Sequence, residues 1–207
     1  MARPRQISDE QILETTRRLV LSRGPHVSLD TVAADLGVTG PALLKRFGTR
    51  EALLIAALVP PPNPEWIEVV RAGPDGTPLE SQLLDIFTRI AAFMKGVVPC
   101  MSALRESGIP MDRVFAQGKF PQEGVQSLVS WLTRARDKGI VEVADPETAA
   151  FVMFGPLQMR SFHNHFLQRT SSPKAERESL CELARFMSRA LAPRRVRKAS
   201  SPPSPRR

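Results

Sequence analysis

The sequence predicts an all-α protein: a small N-terminal helical unit containing a helix-turn-helix, followed by a larger helical domain. Two observations carry this. Apolar residues recur at the i, i+3, i+4, i+7 spacing of an amphipathic helix from Ile12 to Leu191. The stretches with that spacing begin at capping residues and stop at Gly or Pro, as in Ser8-x-x-Gln11, Leu36-Gly37, Phe47-Gly48 and Asp145-Pro146-Glu147. The 207 residues suffice for one or two domains with a real core, and 42% hydrophobic with 24% charged residues is ordinary for a globular chain. No apolar run reaches the roughly 18 residues of a membrane span. No charged-then-apolar leader is seen, so the expectation is a cytoplasmic, nucleoid-associated protein with no membrane partner. Cys100 and Cys181 form no C-x-x-C and fit a reducing compartment.

The first helix starts at Ser8, which with Gln11 makes a capping box, and Asp9 and Glu10 suit the positive end of the helix dipole. Ile12, Thr16, Leu19 and Val20 form its inward stripe, and Gly24-Pro25 ends it. Ser28 to Phe47, SLDTVAADLGVTGPALLKRF, reads as two short helices joined by a tight turn. Leu29, Val32, Ala33 and Leu36 share one face of the first; Gly37 supplies the left-handed backbone that ends it. Val38 plugs the corner, Thr39 caps the next helix and Pro41 sits in its first turn. Leu43 and Phe47 point the second helix back at the first, with Ala33 small enough for a steep crossing. Such a helix-turn-helix lays its second helix in the DNA major groove, although these positions also describe a helical hairpin in any all-α protein. Thr49 then caps another helix with Glu51 in its first turn and Leu53, Leu54 and Leu58 as apolar positions.

The order of these elements, with VAADLGVTGPALLKRFGTREALL at its centre, resembles the DNA-binding domain of TetR-family transcriptional regulators. The resemblance implies a homodimer that reads a double-stranded DNA operator with its N-terminal domain. It also implies a C-terminal helical domain for dimerisation and for a small-molecule effector. The family usually places Tyr, whose hydroxyl donates to a DNA backbone phosphate, where Leu44 stands, and this chain has no Tyr. Carried onto this sequence, the DNA-facing set is Ser28, Thr39, Gly40, Pro41, Ala42, Leu44, Lys45, Arg46 and Arg50; Arg3 and Arg5, in a short basic N-terminal arm, either reach a minor groove or a phosphate or belong to a solvated terminus. Gly40, Pro41 and Ala42 offer no polar side-chain atoms, so readout leans on Thr39, Lys45, Arg46 and apolar contact with thymine methyls.

The formal charge of +8 resides mostly at the C-terminus. Residues 1–58 hold eight Lys/Arg and six Asp/Glu, residues 59–192 hold fifteen of each, and residues 193–207 hold six basic and no acidic residues. That last segment, rich in Pro and Ser, is predicted to be a disordered basic tail that either attracts DNA phosphates non-specifically or serves solubility.

Pro60-Pro61-Pro62-Asn63-Pro64 cannot continue a helix and divides a DNA-binding domain at 1–58 from a ligand-binding and dimerisation domain at 59–192. Gly73-Pro74-Asp75-Gly76 marks a loop. A long helix begins at Leu79, with apolar positions nearly all round from Leu83 to Val98, and Pro99 is predicted to break or kink it before a shorter piece through Glu106. A brief helix around Val114 and Phe115, one from Gln122 to Lys138, one from Asp145 to about Leu167 kinked at Gly155-Pro156, and a last helix after Pro173 complete the chain.

Large or adaptable apolar residues line most small-molecule sites, and Phe87, Met94, Met101, Phe115, Trp131, Met153 and Phe154 are the pocket candidates; the same residues equally serve as core. The resemblance places the last two helices of each chain in an intermolecular four-helix bundle, with Phe154, Leu157, Phe162, Leu180, Leu183, Met187 and Leu191 as dimer contacts, positions that also fit packing within one chain. His163 and His165 diverge by about 200° on a helix, whereas paired metal ligands stand four apart, so no metal is expected. No Walker loop, G-x-S-x-G, H-E-x-x-H or Rossmann fingerprint is present, which argues against an enzyme or a cofactor. The functional expectation is a repressor that releases a palindromic operator on binding a small apolar molecule. The alternative is a helical dimer with an architectural or protein-binding role and no ligand response.

Overall fold

The computed structural model describes residues 7–60, 64–116 and 122–193. Among them the chain forms ten helices and no strand: α1 (Asp9–Arg23), α2 (Leu29–Leu36), α3 (Gly40–Phe47), α4 (Arg50–Leu58), α5 (Glu65–Ala72), α6 (Leu79–Glu106), α7 (Met111–Ala116), α8 (Gln122–Asp137), α9 (Pro146–Phe166) and α10 (Pro173–Leu191). Residues 1–6 of the predicted arm and residues 194–207 of the predicted tail lie outside the described residues.

The N-terminal caps form as the sequence specifies. Ser8 and Gln11 make both hydrogen bonds of the capping box. Ser28, Thr39, Thr49, Asp145 and Ser172 each accept a backbone N–H in the first turn of their helix.

The long helix α6 organises the rest, packing against α5, α9 and α10 on the C-terminal side and against α1 and α4 on the other. Its buried residues run from Gln82 to Leu104. Leu83, Phe87, Ile90 and Met94 join Trp66, Trp131, Met153, Leu157, Leu180 and Met187 in the core of the larger domain. A second cluster joins the two halves: Val20 of α1 and Leu54, Ile55 and Leu58 of α4 pack on Cys100, Ala103 and Leu104 of α6 and Val114 of α7. Arg17 adds a 2.7 Å hydrogen bond from Nε to the Ala57 carbonyl.

Pro99 does not break α6; it and Pro156 of α9 both stand inside continuous helices. Each removes one N–H, and the acceptors left behind belong to Lys95 and Val152, residues exposed to water. Buried side chains on both sides, Val97, Val98, Ala103 and Leu104 around Pro99 and Phe154 and Leu157 around Pro156, outweigh the roughly 3 kcal/mol cost of an internal proline.

The short helix α5 was not anticipated, because a proline run precedes it and a Gly-Pro loop follows. It forms because Trp66, Ile67 and Val70 all face the core. Arg134 of α8 secures its end, donating to the Val70 and Arg71 carbonyls at 2.8 and 2.7 Å. Buried Gln82 pins the following loop through Asp75 and Thr77.

Candidate nucleic-acid interface

Helices α1 to α4 close around Ile12, Leu19, Val32, Ala33, Leu43 and Leu53. Between α2 and α3, Gly37 adopts φ 69° and ψ 30°, the left-handed conformation that a side chain would strain. Its successor Val38 donates its N–H to the Ala33 carbonyl at 2.9 Å, which fixes the corner. Thr39 Oγ1 then accepts from the Ala42 N–H at 3.4 Å and starts α3.

Gly40, read from the sequence as a groove-entering residue, is instead buried. A Cβ there would stand 2.7 Å from Asp30 Oδ1, so this glycine is a point of close approach between α2 and α3. The side of α3 away from the core exposes Thr39, Pro41, Ala42, Leu44, Lys45 and Arg46. Pro41 and Lys45, one turn apart, share its middle, with Ala42 and Leu44 on the flanks.

The cations divide into three groups. Lys45 has no ion-pair or hydrogen-bond partner among the described residues. Arg46 reaches back to the start of α1, with Nη2 2.5 Å from Asp9 Oδ1 and Nη1 donating to the Ile7 carbonyl at 2.6 Å. Arg50, expected at the phosphates, is half-buried and donates to the Pro25 carbonyl at 2.6 Å and to Val27 at 3.1 and 3.3 Å. Its guanidinium ties the α1–α2 loop to α4, a long-range role that no local pattern announces. Ser28 is exposed and is used as the cap of α2, accepting from the Thr31 N–H at 3.1 Å. Arg3 and Arg5 lie outside the described residues.

A family model for bacterial regulatory proteins of the tetR family matches residues 12–57, the span from α1 to α4. The N-terminal domain belongs to the tetR family. It is the domain of DNA-binding transcriptional regulators, and the whole described chain has the TetR fold. A TetR-family transcriptional regulator from Mesorhizobium loti superposes with a TM-score of 0.71 at 18% identity, covering 88% of this chain and 93% of that one. The B. subtilis regulator FadR (Bacillus subtilis), solved with stearoyl-CoA, gives 0.67 at 15% identity over 86% and 97%. A protein solved in work on control of antibiotic production by a bacterial hormone gives 0.63 at 26% identity over 88% and 96%. No curated protein matches the chain in sequence.

The second domain carries a cavity of about 290 Å³ between α6, α7 and α9. Of the pocket candidates Met94, Met101 and Phe115 line it, and Phe162, expected at a dimer interface, lines it too. Phe87, Trp131, Met153 and Phe154 do not; they are buried in the core, with Trp66 and Phe154 in ring contact at 6.3 Å. Val97, Val98, Ser102, Arg105, Met111, Gln158 and Phe166 complete the wall and were missed, because helical period alone cannot tell a cavity wall from core.

Most of the expected dimer contacts lie inside the single chain. Phe154, Leu157, Leu180, Met187 and Leu191 are buried within their own chain, and Leu183 packs partly against the same core. The large apolar side chains that α9 and α10 leave exposed include Phe151, Val152, Met159 and Phe186.

Among the described residues no group of three or more His, Cys, Asp or Glu is placed to hold a metal, and no helix is long and apolar enough to cross a membrane.

Proposed function

We propose that this TetR-family regulator is a ligand-responsive repressor that binds a palindromic operator as a homodimer and releases it when a small apolar effector enters the α6–α7–α9 cavity. The domains at 1–58 and 59–192 divide these tasks. The observation that carries the reading is the position of α7. Met111 and Phe115 line the cavity, while Val114, on another face of the same helix, packs with Leu54, Ile55 and Leu58 of α4. Arg113 pairs with Glu51 at the start of α4. Through this shared cluster and ion pair an occupant that displaces α7 would act on α4, which packs on α1 and α3.

The effector acts by binding one dimer shape more tightly than the other, because differential affinity alone can shift the equilibrium. The exposed stripe of Phe151, Val152 and Met159 on α9, with Phe186 on α10, supports pairing with a second copy. A two-fold dimer sets the recognition helices about one DNA turn apart, roughly 34–36 Å. Lys45 supplies the phosphate contact, and Thr39, Pro41, Ala42 and Leu44 supply a largely apolar base-reading face that favours thymine methyls. The stearoyl-CoA complex of the similarly folded FadR supports an effector with an apolar chain in this fold.

Selection of bound duplexes from a random pool by the full chain, at two salt concentrations, tests the reading. Enrichment of a palindrome whose half-sites stand one turn apart supports it. Recovery of unenriched sequence, with affinity set by salt alone, leaves an architectural role instead.

A further inference from the structure

The polar side chains of the cavity name the class of the effector, an inference that rests on the reading above. Most of the wall is apolar and adaptable, with Met94, Val98, Met111 and Phe162 among its members. Three polar side chains interrupt it: Ser102 and Arg105, one turn apart on α6, and Gln158 on α9. None of the three side chains has a hydrogen-bond or ion-pair partner among the described residues, and no Asp or Glu is among the cavity's lining residues. Arg105 is exposed, so it stands at the rim while the methionines lie deeper.

A guanidinium beside a hydroxyl and a carboxamide, with no carboxylate to neutralise it, is a donor set for an anionic oxygen group. Its planar fork matches a carboxylate. The volume of about 290 Å³ holds about ten groups of methylene size, at roughly 30 Å³ each. We infer that the cavity takes a medium-length apolar carboxylate, its chain among Met94, Val98 and Phe162 and its head group at Arg105.

Calorimetric titration of the full chain with decanoate, 1-decanol and decyltrimethylammonium, each below its solubility or micelle-forming limit, tests this. The wild type is expected to bind decanoate about tenfold more tightly than decanol, the scale of one charge-assisted pair. Arg105→Gln is expected to lower decanoate to the level of decanol while leaving decanol unchanged, which also shows that the variant is folded. Arg105→Glu is expected to place decyltrimethylammonium above decanoate. Equal affinities in the wild type, an unchanged decanoate affinity in Arg105→Gln, or an unreversed order in Arg105→Glu overturns the assignment. DNA affinity measured with the same compounds separates the two ideas. Arg105-dependent decanoate binding that leaves DNA affinity unchanged supports the ligand class and removes the effector role. Release of DNA by decanol with no preference for decanoate keeps the effector role and removes the class.

Discussion

Arg113 of α7 stands with Nη1 3.1 Å from Oε1 of Glu51 on α4, an ion pair between residues 62 positions apart that bridges the cavity side of the molecule and the DNA-binding side. Its Arg side chain is 64% exposed and its Glu 36%, so the pair contributes little to folding, about 0.2–1 kcal/mol at most. Its importance is positional, because it joins the two helices that the proposed switch must move together. Arg113→Gln and Glu51→Gln are therefore expected to leave the unfolding midpoint nearly unchanged and to weaken the effect of ligand on DNA affinity. A double-mutant cycle on that coupling checks it: the two substitutions should be no worse together than either alone.

Lys45 and Arg50 are expected to fail in different ways. Lys45→Ala should weaken binding to every duplex and flatten the salt dependence by about 0.9 for the lost phosphate contact, with no change in stability. Arg50→Ala removes the guanidinium from the Pro25 and Val27 carbonyls. It should cost about 1–3 kcal/mol in denaturant unfolding. Arg50→Lys should not restore this, since a single ammonium cannot reproduce the fork.

Gly124 of α8 lies under the indole of Trp66, where a Cβ would stand 2.9 Å from Cη2. The ring is 2% exposed and cannot swing away. Gly124→Ala should therefore destabilise by about 1–3 kcal/mol despite the better helix propensity of alanine, measured as a lowered Tm.

Met159 and Phe186 are 69% and 66% exposed, whereas Leu180 is 5% exposed on the neighbouring face of the same helix as Phe186. Charging the exposed pair, as Met159→Asp with Phe186→Glu, should give a folded monomer by sedimentation velocity. Leu180→Asp should unfold the domain by burying an unpaired charge.

Asp145 caps α9, its Oδ2 accepting from the Thr148 hydroxyl at 2.5 Å and its Oδ1 from the Glu147 N–H at 3.0 Å. The Thr148 hydroxyl first, and the Glu147 N–H next, hold its carboxyl below the ordinary aspartate range. A depressed carboxyl stabilises the fold above its unfolded value and loses that contribution as pH falls through the lower folded value. Wild type should thus be more stable than Asp145→Asn at neutral pH, and thermal melts should show the gap closing below about pH 4.

What the sequence determined by itself was local. Caps, left-handed glycines and apolar period set most of the helices and their order, because each depends on neighbours within a turn or two. The helix-turn-helix was legible for the same reason: Ala33, Gly37, Thr39 and Leu43 act on residues beside them. Tertiary structure decided what lies between helices. Pro99 and Pro156 were absorbed because side chains on either side are buried, α5 formed because Trp66 found a core, and Arg50 turned to carbonyls more than twenty positions away. The division of the apolar residues into core, cavity wall and exposed stripe was also tertiary. Period 3.6 gives every helix an apolar face, and only the neighbouring helices decide whether that face meets side chains, a cavity or water.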